Sequence, residues 1–172
     1  TRTWADYLSE RHSDTCHFDI IDRWGNMISG TPSGGWLDGS PVVPGLGFGV
    51  SVRGQMFWLD EAHPNGLAPG KRPRTTLTPT LALRADEPYL VFGTPGGDKQ
   101  DQWALHAFLR HVHHGMNLQE AVDAPGFHTD HAPNSFYPRE WKPSHLAIEA
   151  DFPEATLAEL DRRGHKLEIH GR

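Results

Sequence analysis

The chain has 172 residues, 37% of them hydrophobic, with a formal net charge of -6 and a pI near 6.0, which suits one domain with its own core and argues against nucleic acid as a partner. Cys16 is the single cysteine, so no disulfide framework or thiolate metal cluster is expected, and the compartment stays open between secreted, periplasmic and cytoplasmic. No apolar run approaches the roughly 20 residues that cross a bilayer, no signal-peptide stretch opens the chain, and the missing initiator Met fits a processed or trimmed product.

Residues 1–14 end in the polar run Ser9-Glu10-Arg11-His12-Ser13-Asp14, which reads as an exposed arm before an ordered domain at 15–172. Thr15-Cys16-His17-Phe18-Asp19-Ile20-Ile21, a turn at 22–26 and residues 27–31 read as a β-hairpin. Period two puts Thr15, His17 and Asp19 on one face and Cys16, Phe18 and Ile20 on the other, the expected core face. After a long Gly/Ser/Pro-rich loop at 32–46, residues 48–52 and 55–59 flank Arg53-Gly54 as a second expected hairpin. Residues 81–84 and 89–92 flank Ala85-Asp86-Glu87-Pro88 as a third, which runs into Gly93-Thr94-Pro95-Gly96-Gly97.

Helical spacing then takes over. Trp103, His106, Phe108, Leu109 and Val112 share a face, with Gly115 as the stop. Asn117 and Glu120 make an approximate capping box for a short helix that ends before Pro125. A strand at 145–149, a helix at 153–163 stopped by Gly164 and a strand at 166–169 complete an α+β pattern.

Four places could carry chemistry. A threonine hydroxyl needs an adjacent base, and Thr15 would gain one, its own α-amine, if the bond after Asp14 were cut. That amine has a pKa of about 7.7–8.0, so a useful share is neutral near physiological pH. Gly93-Thr94-Pro95-Gly96-Gly97 sits between strand and helix and could aim backbone N–H groups at an oxyanion; Asp98-Lys99 follows it, not the ending of a phosphate loop. His111 and His114 have ligand spacing, but their helix lacks the carboxylate of a zinc hydrolase, and a solvated helix end is the plainer reading, with no metal expected. Cys16, on the apolar face, reads as an inert core thiol.

Taken in order, Thr15-Cys16-His17-Phe18 with Asp22-Arg23-Trp24-Gly25-Asn26, the run from Pro69 to Thr80, Gly93-Thr94-Pro95-Gly96-Gly97, the run from Gly115 to Pro125, and Phe127-His128 resemble the small subunit of γ-glutamyltranspeptidases, a branch of the N-terminal-nucleophile hydrolases. The resemblance implies a precursor that cuts itself before Thr15 and stays paired with its large subunit in a four-layer αββα sandwich, without a cofactor. It implies Thr15 as nucleophile, Ser33 as its supporting hydroxyl, Gly96 and Gly97 as the oxyanion hole, and Thr75 and Thr76 as the holders of a substrate carboxylate. The family's Thr-Leu-Asn stands here as Ser33-Gly34-Gly35, putting Gly35 at a substrate contact, and its acidic pair after Gln55-Met56 stands as Phe57-Trp58, putting Trp58 at the acyl pocket. The expected substrate is a small-molecule amide or γ-glutamyl compound; the replacements speak against strict γ-glutamyl specificity and open the alternative of a more apolar or aromatic acyl group, as in acylase-like relatives that cleave β-lactam side chains. An uncut, non-catalytic relative is the alternative. The chain stops at Gly171-Arg172, short of the family's closing segment, and is expected to be a fragment.

Overall fold

Asp22 sets the first hairpin. Its carboxylate accepts from the backbone N–H groups of Trp24 and Asn26 at 2.8 and 2.9 Å and from Asn26 Nδ2 at 2.8 Å, the local self-bonding that makes Asp a turn residue. These donors, the Asn26 side chain foremost, hold the Asp22 carboxyl below its ordinary range. The strands on either side, β1 (Phe18–Ile21) and β2 (Met27–Gly30), pair antiparallel with Phe18 opposite Gly30 and Ile21 opposite Met27. A computed structural model describes residues 15–34 and 41–171; the expected arm at 1–14 lies outside the described residues. The chain divides at the Gly96-Gly97 link into two units.

The even-numbered side of β1 is not a core face. Phe18 and Ile20 are 46% and 54% exposed, and Cys16 is exposed too, so it is not the buried thiol expected from the alternation. A two-stranded ribbon is one layer, and an apolar face is buried only when a second layer covers it; the described residues supply too little cover here. Phe18 folds across its cross-strand partner instead, where a Cβ added at Gly30 would lie 2.4 Å from the ring.

The other hairpin of this unit, β3 (Thr80–Arg84) with β4 (Glu87–Phe92), forms with a tighter turn than expected. Its two turn residues, Ala85 and Asp86, both have positive φ (51° and 67°), the mirror-image turn whose twist matches paired strands. Strand β4 packs against both β1 and β2, and Ser29 Oγ donates to the Phe92 carbonyl at 3.3 Å. No hairpin forms at 48–59. Val52–Met56 is a 3-10 turn, capped by Ser51 Oγ, which accepts from Arg53 N at 3.2 Å. Among the described residues its flanks make the isolated bridges Val42 to Gly49 and Trp58 to Gly66. The deciding contacts are tertiary: Met56 is 1% exposed, its carbonyl accepts from Asn65 Nδ2 at 2.6 Å, and the Arg53 side chain reaches Ser33.

In the second unit, α1 (Gln100–Val112), α2 (Leu118–Asp123) and α3 (Glu154–Arg162) accompany the strands β5 (Phe127–His128), β6 (His145–Glu149) and β7 (Lys166–His170). The sheet order is β5-β6-β7, with β6 antiparallel to β5 and parallel to β7. Helix α3 makes the crossover that a parallel pair requires. The middle of β6, Leu146-Ala147-Ile148, is the buried centre of this unit. Asn117 and Glu120 form a full capping box at the start of α2. At its other end Arg110 Nη1 donates to the carbonyls of Ala121 and Ala124 at 3.2 and 3.1 Å, and Nη2 donates to that of Pro125. These are the carbonyls a helix end leaves without partners, so one guanidinium both caps α2 and ties it to α1. The mixed helix and strand content agrees with the α+β expectation.

His106 packs on Phe127 with ring centroids 4.0 Å apart. Burial lowers the pKa of His106, helped by Arg110, and burial likewise lowers that of His128, helped by Lys99. The folded state therefore binds protons less readily than the unfolded one. Stability is full above the ordinary value of 6.5 and is lost as pH falls through it toward the depressed folded values. Amide exchange at β5 and β6 should accordingly quicken between pH 7.5 and about 5.5 after correction for intrinsic rates, and substituting His106 by Leu should flatten that dependence.

Candidate active site

The register of the first hairpin builds the site. Continuing outward from Phe18 opposite Gly30 places His17 across from Thr31, Cys16 from Pro32 and Thr15 from Ser33, and the bonds follow that order. Cys16 N donates to the Pro32 carbonyl at 3.1 Å, His17 Nδ1 lies 2.9 Å from Thr31 Oγ1, and Thr15 Oγ1 lies 2.7 Å from Ser33 Oγ. Period two then explains why Thr15 and His17 share a face: the intervening residue uses the backbone ladder while its neighbours meet through side chains.

Two further residues hold this pair of strand ends. Arg53 Nη2 donates to Ser33 Oγ. His17 Nε2 lies 2.8 Å from Asp19 Oδ2; in a neutral ring Nε2–H donates to that carboxylate, leaving Nδ1 to accept from the Thr31 hydroxyl. The His17 ring also covers Gly93 at the end of β4, where an added Cβ would fall 2.3 Å from the ring carbon Cε1. Sequence reasoning gave neither side chain a role. His17 was legible as a neighbour of Thr15 on the same face, but Arg53 carried no signal, since only loop closure brings it to Ser33.

The remaining candidates are placed as follows. Thr75 is exposed and its hydroxyl accepts from Leu77 N at 3.0 Å. Thr76 is 7% exposed, and its Oγ1 is buried without a hydrogen-bond partner among the described residues. Trp58 is half-buried and stacks on His63 at 4.3 Å between ring centroids. Gly96 and Gly97 have φ of 145° and 60°, backbone that side-chain-bearing residues adopt only under strain. The turn they make is followed by Asp98, whose carboxylate accepts from Ser135 N at 2.7 Å and from Ser135 Oγ. Gly35 lies outside the described residues. His113 and His114 are exposed and His111 Nδ1 lies 2.8 Å from the Met116 carbonyl; among the described residues no group of three or more His, Cys, Asp or Glu could hold a metal.

The hydroxyl pair stands at the start of a hairpin, and the double-glycine turn leads down the chain into α1. The gamma-glutamyltranspeptidase family model matches residues 3–172, and the chain belongs to that family. The glutathione hydrolase proenzyme of Bacillus subtilis (strain 168) is 34% identical over 157 residues, which are 89% of this chain and 24% of that protein. Among solved structures, that of LmbA2991 is 54% identical with a TM-score of 0.81, over 92% of this chain and 28% of that one. A mutant gamma-glutamyltranspeptidase of Helicobacter pylori is 28% identical with a TM-score of 0.71, over 90% of this chain and 84% of that one. The chain thus spans about a quarter of the length of the Bacillus relative.

Because the His17 ring occupies the space a side chain at residue 93 would need, Gly93→Ala should push the ring from its Asp19 and Thr31 partners. A loss of about 1–3 kcal/mol is expected, the range for overpacking. Denaturant unfolding of the full-length protein measures it, and an unchanged midpoint contradicts the packing argument.

Proposed function

We propose that this chain is the catalytic part of an N-terminal-threonine amide hydrolase or acyltransferase, released by self-cleavage between Asp14 and Thr15. The observation that carries the reading is the 2.7 Å contact between Thr15 Oγ1 and Ser33 Oγ. In self-cleavage Thr15 Oγ1 attacks the Asp14 carbonyl carbon and its proton passes to the Thr15 nitrogen as the peptide C–N bond breaks, which leaves an ester and a free α-amine; water then hydrolyses the ester, releasing the Asp14 carboxylate and restoring the Thr15 hydroxyl. That amine is then the base. In turnover it takes the Thr15 hydroxyl proton as Oγ1 attacks the substrate's amide carbon, and passes the proton to the departing amine as the C–N bond breaks. Water or an acceptor amine releases the acyl group from Oγ1 in the reverse sense.

The backbone turn at Gly96 and Gly97 is the proposed oxyanion hole, worth about 3–4 kcal/mol per donor in comparable enzymes. Thr75 and Thr76 are the proposed carboxylate holders, and the buried hydroxyl of Thr76, without a hydrogen-bond partner among the described residues, is in the state expected of a group that awaits a ligand. Gly35 and Trp58 are assigned to the acyl pocket. The likeness of length to one Helicobacter chain and the short span of the Bacillus proenzyme support a second, larger subunit from the same precursor. It would complete a four-layer αββα sandwich and cover the exposed Phe18, Ile20, Leu81 and Leu83.

Phe57 and Trp58 stand where the resemblance calls for the acidic residues that pair with a substrate ammonium. An aromatic face returns only ~0.5–2 kcal/mol of that attraction, so within the proposed substrates, small-molecule amides or γ-glutamyl compounds, an apolar or aromatic acyl group is favoured by this pocket. Intact mass of the purified full-length protein should show a chain that begins at Thr15, and Thr15→Ala should abolish both the cut and the turnover; a stable wild-type protein with Asp14 still joined to Thr15 would instead identify an uncut, non-catalytic relative. Phenylacetyl p-nitroanilide should be cleaved with a kcat/KM about tenfold or more above that for γ-glutamyl p-nitroanilide, one factor of ten being about 1.4 kcal/mol, and the opposite order refutes the pocket assignment.

A further inference from the structure

We infer that His17 is a positioning residue that sets where the turn from Gly93 to Gly96 stands relative to Thr15, and so aims the backbone donors of the proposed oxyanion hole. The inference rests on the reading of Thr15 as nucleophile and of that turn as part of the hole. His17 lies two residues after Thr15 on the face of the hairpin that both share, about 6–7 Å along the strand. Its ring is held at both nitrogens: Nδ1 lies 2.9 Å from Thr31 Oγ1 and Nε2 lies 2.8 Å from Asp19 Oδ2. Thr31 is 7% exposed, so that anchor is itself buried. Bonds at opposite corners of an imidazole fix its plane as well as its place.

The fixed ring bears on Gly93. A Cβ added there would lie 2.3 Å from Cε1 and 2.9 Å from each ring nitrogen, and Gly93 does not have the positive φ that Gly96 and Gly97 have. Glycine is therefore required at 93 by the close approach of the ring and not by the backbone conformation. Gly93 is also the first residue past the β3–β4 ladder, which ends with Thr80 opposite Phe92. The first hairpin holds this end of β4 twice, by Ser29 Oγ on the Phe92 carbonyl at 3.3 Å and by the His17 ring on the next residue. Beyond it the chain is stiff. Pro95 fixes its own φ and biases Thr94 toward extended backbone, and Thr94 Oγ1 donates to the Pro95 carbonyl at 2.9 Å. A displacement at Gly93 thus passes along to Gly96. Oxyanion donors act because they are in place before charge develops, and a misplacement of about 1 Å can cost on the order of a hundredfold in rate.

An ester compared with its thionoester tests this. Sulfur in place of the carbonyl oxygen is a poor hydrogen-bond acceptor, so backbone donors speed the oxygen ester far more than the sulfur one, whereas attack by Thr15 Oγ1 serves both. The full-length protein is given p-nitrophenyl phenylacetate or its thiono analogue, and p-nitrophenolate release is followed per mole of chain that begins at Thr15 by intact mass. Thr15→Ala is the blank, and the assay temperature lies below each variant's melting midpoint. Wild type should favour the oxygen ester. His17→Ala should lower its kcat about ten- to a hundredfold with KM changed less than about threefold, and should lower the oxygen-to-sulfur rate ratio about tenfold. His17→Gln, which keeps a donor near the Nε2 position, should recover part of the ratio. Gly93→Ala disturbs the same contact from the other side, so it should lower the ratio in the wild-type background and leave it unchanged in His17→Ala, where the ring is gone. Equal slowing of both esters in His17→Ala overturns the inference, and so does a Gly93→Ala effect on the ratio that is the same with and without the ring. If His17→Ala stays uncut or melts below the assay temperature, His17→Gln takes its place in the same cycle: a lowered ratio supports the role and an unchanged one refutes it. Wild type that hydrolyses neither ester above the blank removes the nucleophile, wild type without a preference for oxygen removes the oxyanion hole, and either takes the inference with it. Normal wild-type hydrolysis and preference with an unmoved ratio in the variants removes only His17.

Discussion

The geometry of the proposed active site depends on the register of one short hairpin. Strand pairing repeats with period two, so a slip of one residue would exchange the faces of β1 and carry Thr15 away from Ser33. Asp22 prevents the slip by closing the turn with three donors from Trp24 and Asn26. Everything outward is then counted from that turn: Phe18 meets Gly30, His17 meets Thr31, and Thr15 meets Ser33. The partner of Thr15, the proposed nucleophile, is thus set by register.

Beside the hydroxyl pair lies a segment with no regular secondary structure of its own beyond a 3-10 turn. Residues 41–79 are held by scattered bonds such as Asn65 Nδ2 to the Met56 carbonyl and Leu67 N to the Trp58 carbonyl, and by the burial of Met56. Such a loop keeps its shape because its polar backbone groups find partners within it. It delivers Arg53 to Ser33 and places Trp58 against His63, so the same stretch supplies both a charge beside the hydroxyl pair and an aromatic surface in the proposed acyl pocket.

The second unit shows the more ordinary logic of a scaffold. A parallel strand pair has to be bridged by a crossover, and α3 provides it between β6 and β7. The middle of β6 reads Leu-Ala-Ile and is buried, as strands covered on both faces are. Arg110 ends α2 by taking its last carbonyls, and the reciprocal bonds between the Gln102 side chain and the Thr129 backbone, at 2.8 and 3.1 Å, fix the start of α1 beside the residue that follows β5. These contacts are local to the unit and account for why its elements were the most legible in the sequence.

Elements with a strong short-range signal could be read from the sequence alone. The Asp22 turn, the Asn117 and Glu120 capping box, Gly115 and Gly164 as helix stops and the strand at His145–Glu149 all stand where spacing put them. The Thr15 and Ser33 pair was named from a family resemblance, and tertiary structure supplied its distance. What the sequence could not settle was anything that depends on a second layer or on a distant segment. Cys16 and Phe18 alternate like core residues yet stand exposed, because burial depends on what packs opposite and not on period. Arg53-Gly54 resembles a hairpin turn in isolation, and becomes the centre of a 3-10 turn because its side chain finds Ser33 twenty residues earlier. Periodicity records the local chain; which hydroxyl a guanidinium meets is decided only when the loop closes.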